Sequence, residues 1–191
     1  MMRRAKPFII ILAVFILFHS PQRAQADDTV WEDVSNGTVV LFRHANAPGM
    51  GDPGKFKLGD CSTQRNLDKA GREQARKIGE RFRERQIKVS AVLTSEWCRC
   101  RETADLAFPG QSVDAPVFNS FFADRSRSRE QTAGAIELLE KMQTASGAVV
   151  VVTHQVNITA IAKVFPLSGE GIVVRVQDGT VEVLGRLAPP D

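Results

Sequence analysis

Two valine-rich runs constrain this chain most: Thr38-Val39-Val40-Leu41-Phe42 and Val149-Val150-Val151-Val152-Thr153. Neither alternates apolar with polar residues, so neither suits a sheet with one wet face. Such runs read as strands buried on both sides, as in the middle of a parallel sheet. The first leads into Arg43-His44 and the second into His154. The chain has three histidines, and the third, His19, falls in a segment that reads as a leader. In an open parallel sheet, ligands bind beyond the carboxyl ends of the strands. Either histidine alone is more simply a hydrogen-bonded structural residue. The pair, in matching contexts with arginines nearby, points to a phosphate-handling site.

The first 26 residues have the layout of a secretory signal peptide. Arg3, Arg4 and Lys6 form a basic start, Phe8 to Phe18 is apolar throughout, and Ala24-Gln25-Ala26 offers a small-x-small cleavage site. Eleven apolar residues are short for a membrane span, so cleavage is expected and an uncleaved anchor is the alternative. All 22 acidic residues follow Ala26, whereas four of the 25 basic ones precede it, so cleavage takes the net charge from +3 to −1. The basic character of the whole chain therefore says nothing for a nucleic-acid partner. Residues 27–191 make one ordinary domain, expected to be periplasmic or secreted and without stable membrane insertion. Export would carry Cys61, Cys98 and Cys100 into an oxidising compartment. Three thiols cannot all pair within one chain, and a bridge from Cys61 to either Cys98 or Cys100 would pin a loop beside Arg99. A zinc site of Cys98, Cys100, His44 and His154 is disfavoured, because Cys-x-Cys is not the usual ligand spacing. No metal or cofactor is expected.

Between the two runs lie further elements. Residues 45–64 form a long loop with Pro48, Gly49, Gly51, Pro53, Gly54 and Gly59, of a kind usually functional in a compact domain. Asp68 can cap a helix to about Arg85, with Ala75, Ile78, Gly79 and Phe82 inward. Ala91 to Thr94 reads as a strand, Ser95 as an N-cap for the next helix, 115–118 as an edge strand and 129–142 as a helix. A last helix passes through Ile158, Ile161 and Phe165 to Pro166. Ile172 to Val176 and Thr180 to Leu184 flank Asp178-Gly179, a hairpin signal. Alternating strands and helices predict a three-layer α/β/α sandwich on a mostly parallel central sheet.

Three strand ends then converge, at Arg43-His44, Ser95 and His154, and Arg99 falls in the first turn of the helix after Ser95. A phosphate monoester is nearly dianionic at neutral pH. Guanidinium groups match its oxygens with paired donors, and helix N-termini add free N–H groups. Arg43, Arg99, His44, His154 and, as a further substrate-binding candidate, Arg65 can make such a pocket. A neutral imidazole there can take up a phosphoryl group covalently.

The chain resembles the histidine phosphatase superfamily, also called phosphoglycerate mutase-like. Leu41-Phe42-Arg43-His44-Ala45 is similar to its Arg-His-Gly signature, with Ala45 in place of glycine. Leu67-Asp68-Lys69-Ala70-Gly71-Arg72-Glu73-Gln74-Ala75 resembles its Leu-x-x-x-Gly-x-x-Gln-Ala helix. Ser95 to Ala104 matches its serine, arginine and threonine-alanine block, and Val152 to Ile158 its second-histidine block. The resemblance implies a small exported bacterial member, with His44 the nucleophile and Arg43, Arg99 and His154 completing the phosphate pocket. It also puts Arg101 outside the pocket. One branch of the family follows the second histidine with an aspartate as proton donor, but Gln155 stands here. The other supplies a glutamate between the second and third blocks, where this chain has Asn119. Asp124 is the remaining candidate donor. The implied activity is hydrolysis of phosphomonoesters through a phosphohistidine, possible substrates being phosphorylated small molecules such as an envelope sugar phosphate. A module that binds phosphoryl groups but has lost its proton donor, and with it turnover, is the alternative.

Overall fold

The computed structural model describes residues 29–35, 37–143 and 146–191. The leader expected over residues 1–26 lies outside the described residues. The main elements in chain order are β1 (Val39–Arg43), α1 (Lys69–Glu84), β2 (Val89–Thr94), α2 (Cys98–Ala107) and β3 (Ser112–Asp114). They continue with α3 (Ser128–Met142), β4 (Ala148–Thr153), α4 (Gln155–Ala162), β5 (Gly171–Gln177) and β6 (Thr180–Leu187). The strands form a single sheet in the order β3-β2-β4-β1-β5-β6. The pairings β1–β4, β2–β4 and β2–β3 are parallel, and β5 and β6 run antiparallel at one side.

The two valine runs are β1 and β4, side by side at the centre. Alternate residues face opposite sides, so each run feeds two cores. Val40, Phe42, Val150 and Val152 meet Ile78, Phe82, Ala104 and Ala107 of α1 and α2 on one face. Val39, Leu41, Val149 and Val151 meet Ala135, Leu139, Ile158 and Ile161 of α3 and α4 on the other. Both faces are dry, which is why neither strand carries a polar residue at every second position. The three-layer α/β/α arrangement on a mostly parallel sheet follows directly.

Register decides where the histidines emerge. Arg43 is opposite Thr153, so β1 and β4 end together. The His44 N–H donates to Thr153 O at 2.9 Å and the Ser95 N–H to Val152 O at 3.0 Å, so all three strand ends reach one edge. The stretch beyond His44 is then seated on α1. Asp68 caps that helix by accepting from the Gly71 N–H at 2.7 Å, and its other oxygen accepts from Asn46 Nδ2 at 3.0 Å. Gln74 Oε1 takes the Asn46 N–H at 3.0 Å. A Cβ on Gly71 would lie 2.0 Å from Asn46 O, so only glycine admits this approach.

Three local expectations differ from the structure. Residues 116–118 are a 3₁₀ turn opened by Pro116, and the edge strand is β3 at 112–114. Proline has no N–H to give a ladder, and the turn instead buries Phe118. Ser95 does not cap α2, which starts at Cys98 with Trp97 as the flanking residue and no side-chain cap. The hydroxyl of Ser95 serves His154 instead. Helix α4 ends at Ala162, where Lys163 adopts φ +58°, so Phe165 leaves the helix and stands exposed. At the opposite end of the sheet, Asp178 and Gly179 turn the β5–β6 hairpin with φ +52° and +69°, the pair of left-handed residues that a type I′ turn needs.

The structure joins Cys61 to Cys98, closing a loop with a sequence separation of 37. Cys100 is buried and unpaired. Closing a loop of that length contributes about 3–4 kcal/mol by reducing the entropy of the unfolded chain. The bridge also anchors the glycine-rich loop to the first turn of α2, one residue before Arg99. Among the described residues no helix is long and apolar enough to cross a membrane.

Candidate active site

Beyond the shared strand edge lies a cavity of about 480 Å³. Arg43, His44, Arg65, Arg99 and His154 all line it, so the five residues singled out in the sequence are brought together. Asp124 is not among its walls. It caps the 3₁₀ turn at Arg125–Arg127 through the Ser126 N–H and hydroxyl, fully exposed. The lining also includes Asp52, Met50, Phe122, Arg125, Gln155 and Phe165, which sequence reasoning did not place there.

The two imidazoles form the floor. Their ring centroids are 5.7 Å apart and both side chains are buried. His44 Nδ1 lies 2.8 Å from the carbonyl of Ala45, which can only accept, so Nδ1 carries the proton and Nε2 a free lone pair. The segment is locked because the Ala45 N–H donates to Thr103 Oγ1 at 3.0 Å, and that hydroxyl donates to Arg99 O at 2.7 Å. His154 is held on its other edge. Its Nε2 is 2.8 Å from Ser95 Oγ, and its Nδ1 is 3.4 Å from Arg99 Nη2. A guanidinium cannot accept, so Nδ1 is bare and Nε2–H donates to the serine. Ser95 in turn donates to Asn119 Oδ1 at 3.2 Å. Asn119 Nδ2 donates to Glu96 Oε2 at 2.7 Å, so that asparagine is a strut of the second histidine.

Burial, reinforced by the charge of Arg99, pushes both histidines well below the ordinary imidazole range. Both are neutral at physiological pH, so the Nε2 lone pair of His44 is available for bonding without first losing a proton. Burial likewise pushes the Cys100 thiol up to about 12, leaving it a packed hydrophobe beside His154. The lowered histidines make stability depend on pH. In the unfolded chain both rings titrate near 6.5. Below that pH the unfolded state binds protons that the native state refuses, so stability is complete above about pH 6.5 and falls with acidification. Each ring contributes a slope of up to about 1.4 kcal/mol per pH unit until its native value is reached. Urea midpoints are therefore expected to drop between pH 7 and pH 5; a flat profile would contradict neutral, buried rings.

Around this floor stand the guanidinium groups. Arg43 is half-buried, with Nη1 donating to Pro166 O at 3.1 Å and Nε lacking a protein partner. Arg65 faces the cavity, but its Nε donates to Gly51 O at 2.8 Å and its Nη1 to Ala47 O. It laces the glycine-rich loop as much as it offers charge. Arg99 is 3% exposed and its Nη1 and Nη2 reach Asp52 Oδ1 and Oδ2 at 2.6 and 3.2 Å. Trp97 Nε1 also donates to Asp52 Oδ2, at 3.0 Å, and its ring stacks on Phe56. Although burial alone would raise it, the Arg99 guanidinium holds the Asp52 carboxyl below its usual range. Arg101 points elsewhere on α2, forking onto Asp114 at 2.7 and 2.5 Å at the surface. Cys98 is committed to the disulfide. Among the described residues no group of three or more His, Cys, Asp or Glu side chains could hold a metal ion.

Four arginines and two neutral imidazoles line one cavity with a single carboxylate, a set that can attract a dianion and bring a bare imidazole nitrogen against it. The sequence model of the histidine phosphatase superfamily (branch 1) matches residues 39–119, which carry His44 and Arg99. Over that stretch the chain is similar to the histidine phosphatase superfamily. Its fold is also that of solved members. The protein histidine phosphatase SixA complexed with tungstate is 15% identical with a TM-score of 0.55, over 80% of this chain and 97% of that one. A putative phosphohistidine phosphatase SixA from Agrobacterium tumefaciens is 23% identical with a TM-score of 0.52, over 81% and 99%. A phosphoserine phosphatase mutant from Entamoeba histolytica, in complex with phosphoserine, is 12% identical with a TM-score of 0.56, over 79% and 96%. Among curated proteins, none matches this chain by sequence. In histidine phosphatase terms, Gly71, Gln74 and Thr103 of the family-like blocks are residues that seat the backbone after the first histidine.

Proposed function

We propose that the protein is an exported phosphatase that hydrolyses phosphomonoesters through a phosphohistidine on His44. The observation that carries this reading is the neutral His44 ring, its Nδ1 proton given to Ala45 O, in one cavity with Arg43, Arg99 and His154. The Nε2 lone pair attacks phosphorus in line while the ester P–O bond breaks. Arg43 and Arg99 hold the equatorial oxygens as negative charge builds on them, with His154 beside them in the same cavity. Water then attacks the phosphohistidine, the P–N bond breaks, and inorganic phosphate leaves.

Met50, Phe122 and Phe165 are exposed at the cavity mouth, with the Arg125 guanidinium 5.6 Å above the Phe122 ring. Flat apolar faces beside a cation suit the C–H face of a phosphorylated sugar, and an envelope sugar phosphate is the substrate class we favour. Export to the periplasm or medium is supported by the leader pattern over residues 1–26 and by the Cys61–Cys98 bridge, which an oxidising compartment sustains.

The test is turnover of a generic aryl phosphate. We expect hydrolysis, with an acid-labile phosphoryl group trapped on His44 after rapid quenching. Tight binding of inorganic phosphate without turnover would overturn the proposal in favour of a phosphoryl-binding module.

A further inference from the structure

The proposed reaction needs an acid for the leaving oxygen, and the geometry points to Asp52 of the β1–α1 loop as that proton donor. This inference rests on the phosphatase reading. A sugar or alkyl alkoxide is too basic to leave unprotonated, so some group must deliver a proton as the P–O bond breaks. Among the described residues lining the cavity, Asp52 is the only carboxylic acid. The other positions are occupied or turned away. Gln155 carries no acid and its Nε2 donates to Thr159 Oγ1 at 2.8 Å. Asn119 is tied to Ser95 and Glu96, and Asp124 caps a surface turn.

Asp52 also stands where an anion belongs. Its two oxygens fork onto Arg99, the pairing that two phosphoryl oxygens would make. A phosphoryl group reaching Arg99 must displace the carboxylate, and beside an anion the displaced carboxyl favours its protonated form. The loop allows the shift and limits it. Gly49 and Gly51, at φ +96° and +66°, bracket the turn just before Asp52. Arg65 fastens the same turn through Ala47 O and Gly51 O, the Cys61–Cys98 bridge fastens its far end, and Trp97 Nε1 holds Oδ2. The carboxyl therefore remains at the cavity after leaving Arg99.

The proton balance closes. The phosphomonoester monoanion takes Arg99 and passes its proton to the displaced Asp52 carboxylate. As His44 Nε2 bonds to phosphorus and the ester bond breaks, Asp52 protonates the departing oxygen and is left as carboxylate. It then takes a proton from the water that attacks the phosphohistidine, and returns it to the product phosphate when the carboxylate reoccupies Arg99. One water is consumed and no other reactant is needed.

The test compares wild type with Asp52→Asn and Asp52→Ala on p-nitrophenyl phosphate, whose leaving group needs little protonation, and on glycerol 2-phosphate, whose leaving group needs it fully. Inorganic phosphate inhibition and thermal unfolding are measured alongside. For both variants the turnover number on glycerol 2-phosphate should fall about a hundredfold, and at least about ten times more than on the aryl ester. Phosphate should inhibit the variants more tightly, because no carboxylate competes for Arg99. An equal loss on both esters, or a gain on both, in protein that unfolds like wild type would overturn the assignment and leave Asp52 a competing anion or a strut. If wild type hydrolyses neither ester, the phosphatase reading itself fails and takes this one with it.

Discussion

Replacing His44 by alanine is expected to abolish turnover of an aryl phosphate while the protein stays folded. The side chain sits beyond the end of β1, not within either core, and its own hydrogen bond runs only to the neighbouring Ala45 carbonyl. Losing that bond costs about 1 kcal/mol, small beside the stability of an ordinary domain. The chemistry has no substitute. His154 is committed at Nε2 to Ser95 and at Nδ1 to Arg99, so it cannot take over the attack without leaving both. Removing a covalent nucleophile typically costs on the order of 10⁴–10⁶ in rate. Circular dichroism and thermal unfolding establish the fold, and steady-state assay the activity. Normal turnover by folded His44→Ala would remove His44 as nucleophile, whereas loss of folding would show that the strand end carries more of the structure than its contacts indicate.

Arg99→Lys is the second large effect, with Arg101→Lys as its control. Arg99 is buried in the first turn of α2 and presents two nitrogens to one anion, now Asp52 and in the proposed reaction the phosphoryl group. Lysine keeps the charge but not the fork. If the contact strengthens as phosphorus becomes planar, the turnover number should fall about 10²–10³-fold, while inorganic phosphate binding weakens far less. Arg101 is two residues away but forks onto Asp114 in an exposed pair, which is worth no more than about 1 kcal/mol. Its lysine variant should be nearly silent in both measurements. A silent Arg99 with a crippled Arg101 would contradict the placement of these two side chains.

Much of the framework is legible in the residues. The valine runs could only be strands with two dry faces, and that requirement carries the central sheet, its parallel pairing and helices on both sides. Asp68, Asp178-Gly179 and the spacing of Ala75, Ile78 and Phe82 mark a helix start, a hairpin and a helix face through strictly local rules. Histidines at the ends of the central runs name the edge where a site would form. Pro116 misleads at 115–118 because three apolar neighbours look like a strand while the missing N–H forbids the ladder. Phe165 misleads because the left-handed Lys163, three residues before Pro166, ends the helix early.

The division has a physical cause. Periodicity and capping depend on neighbours in sequence, and those interactions are decided before the chain closes on itself; hence the sheet, the helix faces and the positions of His44 and His154 could be read from the residues. Asp52, Met50, Phe122 and Arg125 come from loops without periodicity, and what they face is decided by which segments meet. Only the closed structure selects Cys98 over Cys100 as the partner of Cys61, spends Ser95 on His154 instead of on a helix cap, and lays the Asp52 carboxylate across Arg99. These are contacts between residues 37 to 59 positions apart, and no local rule ranks one such partner above another.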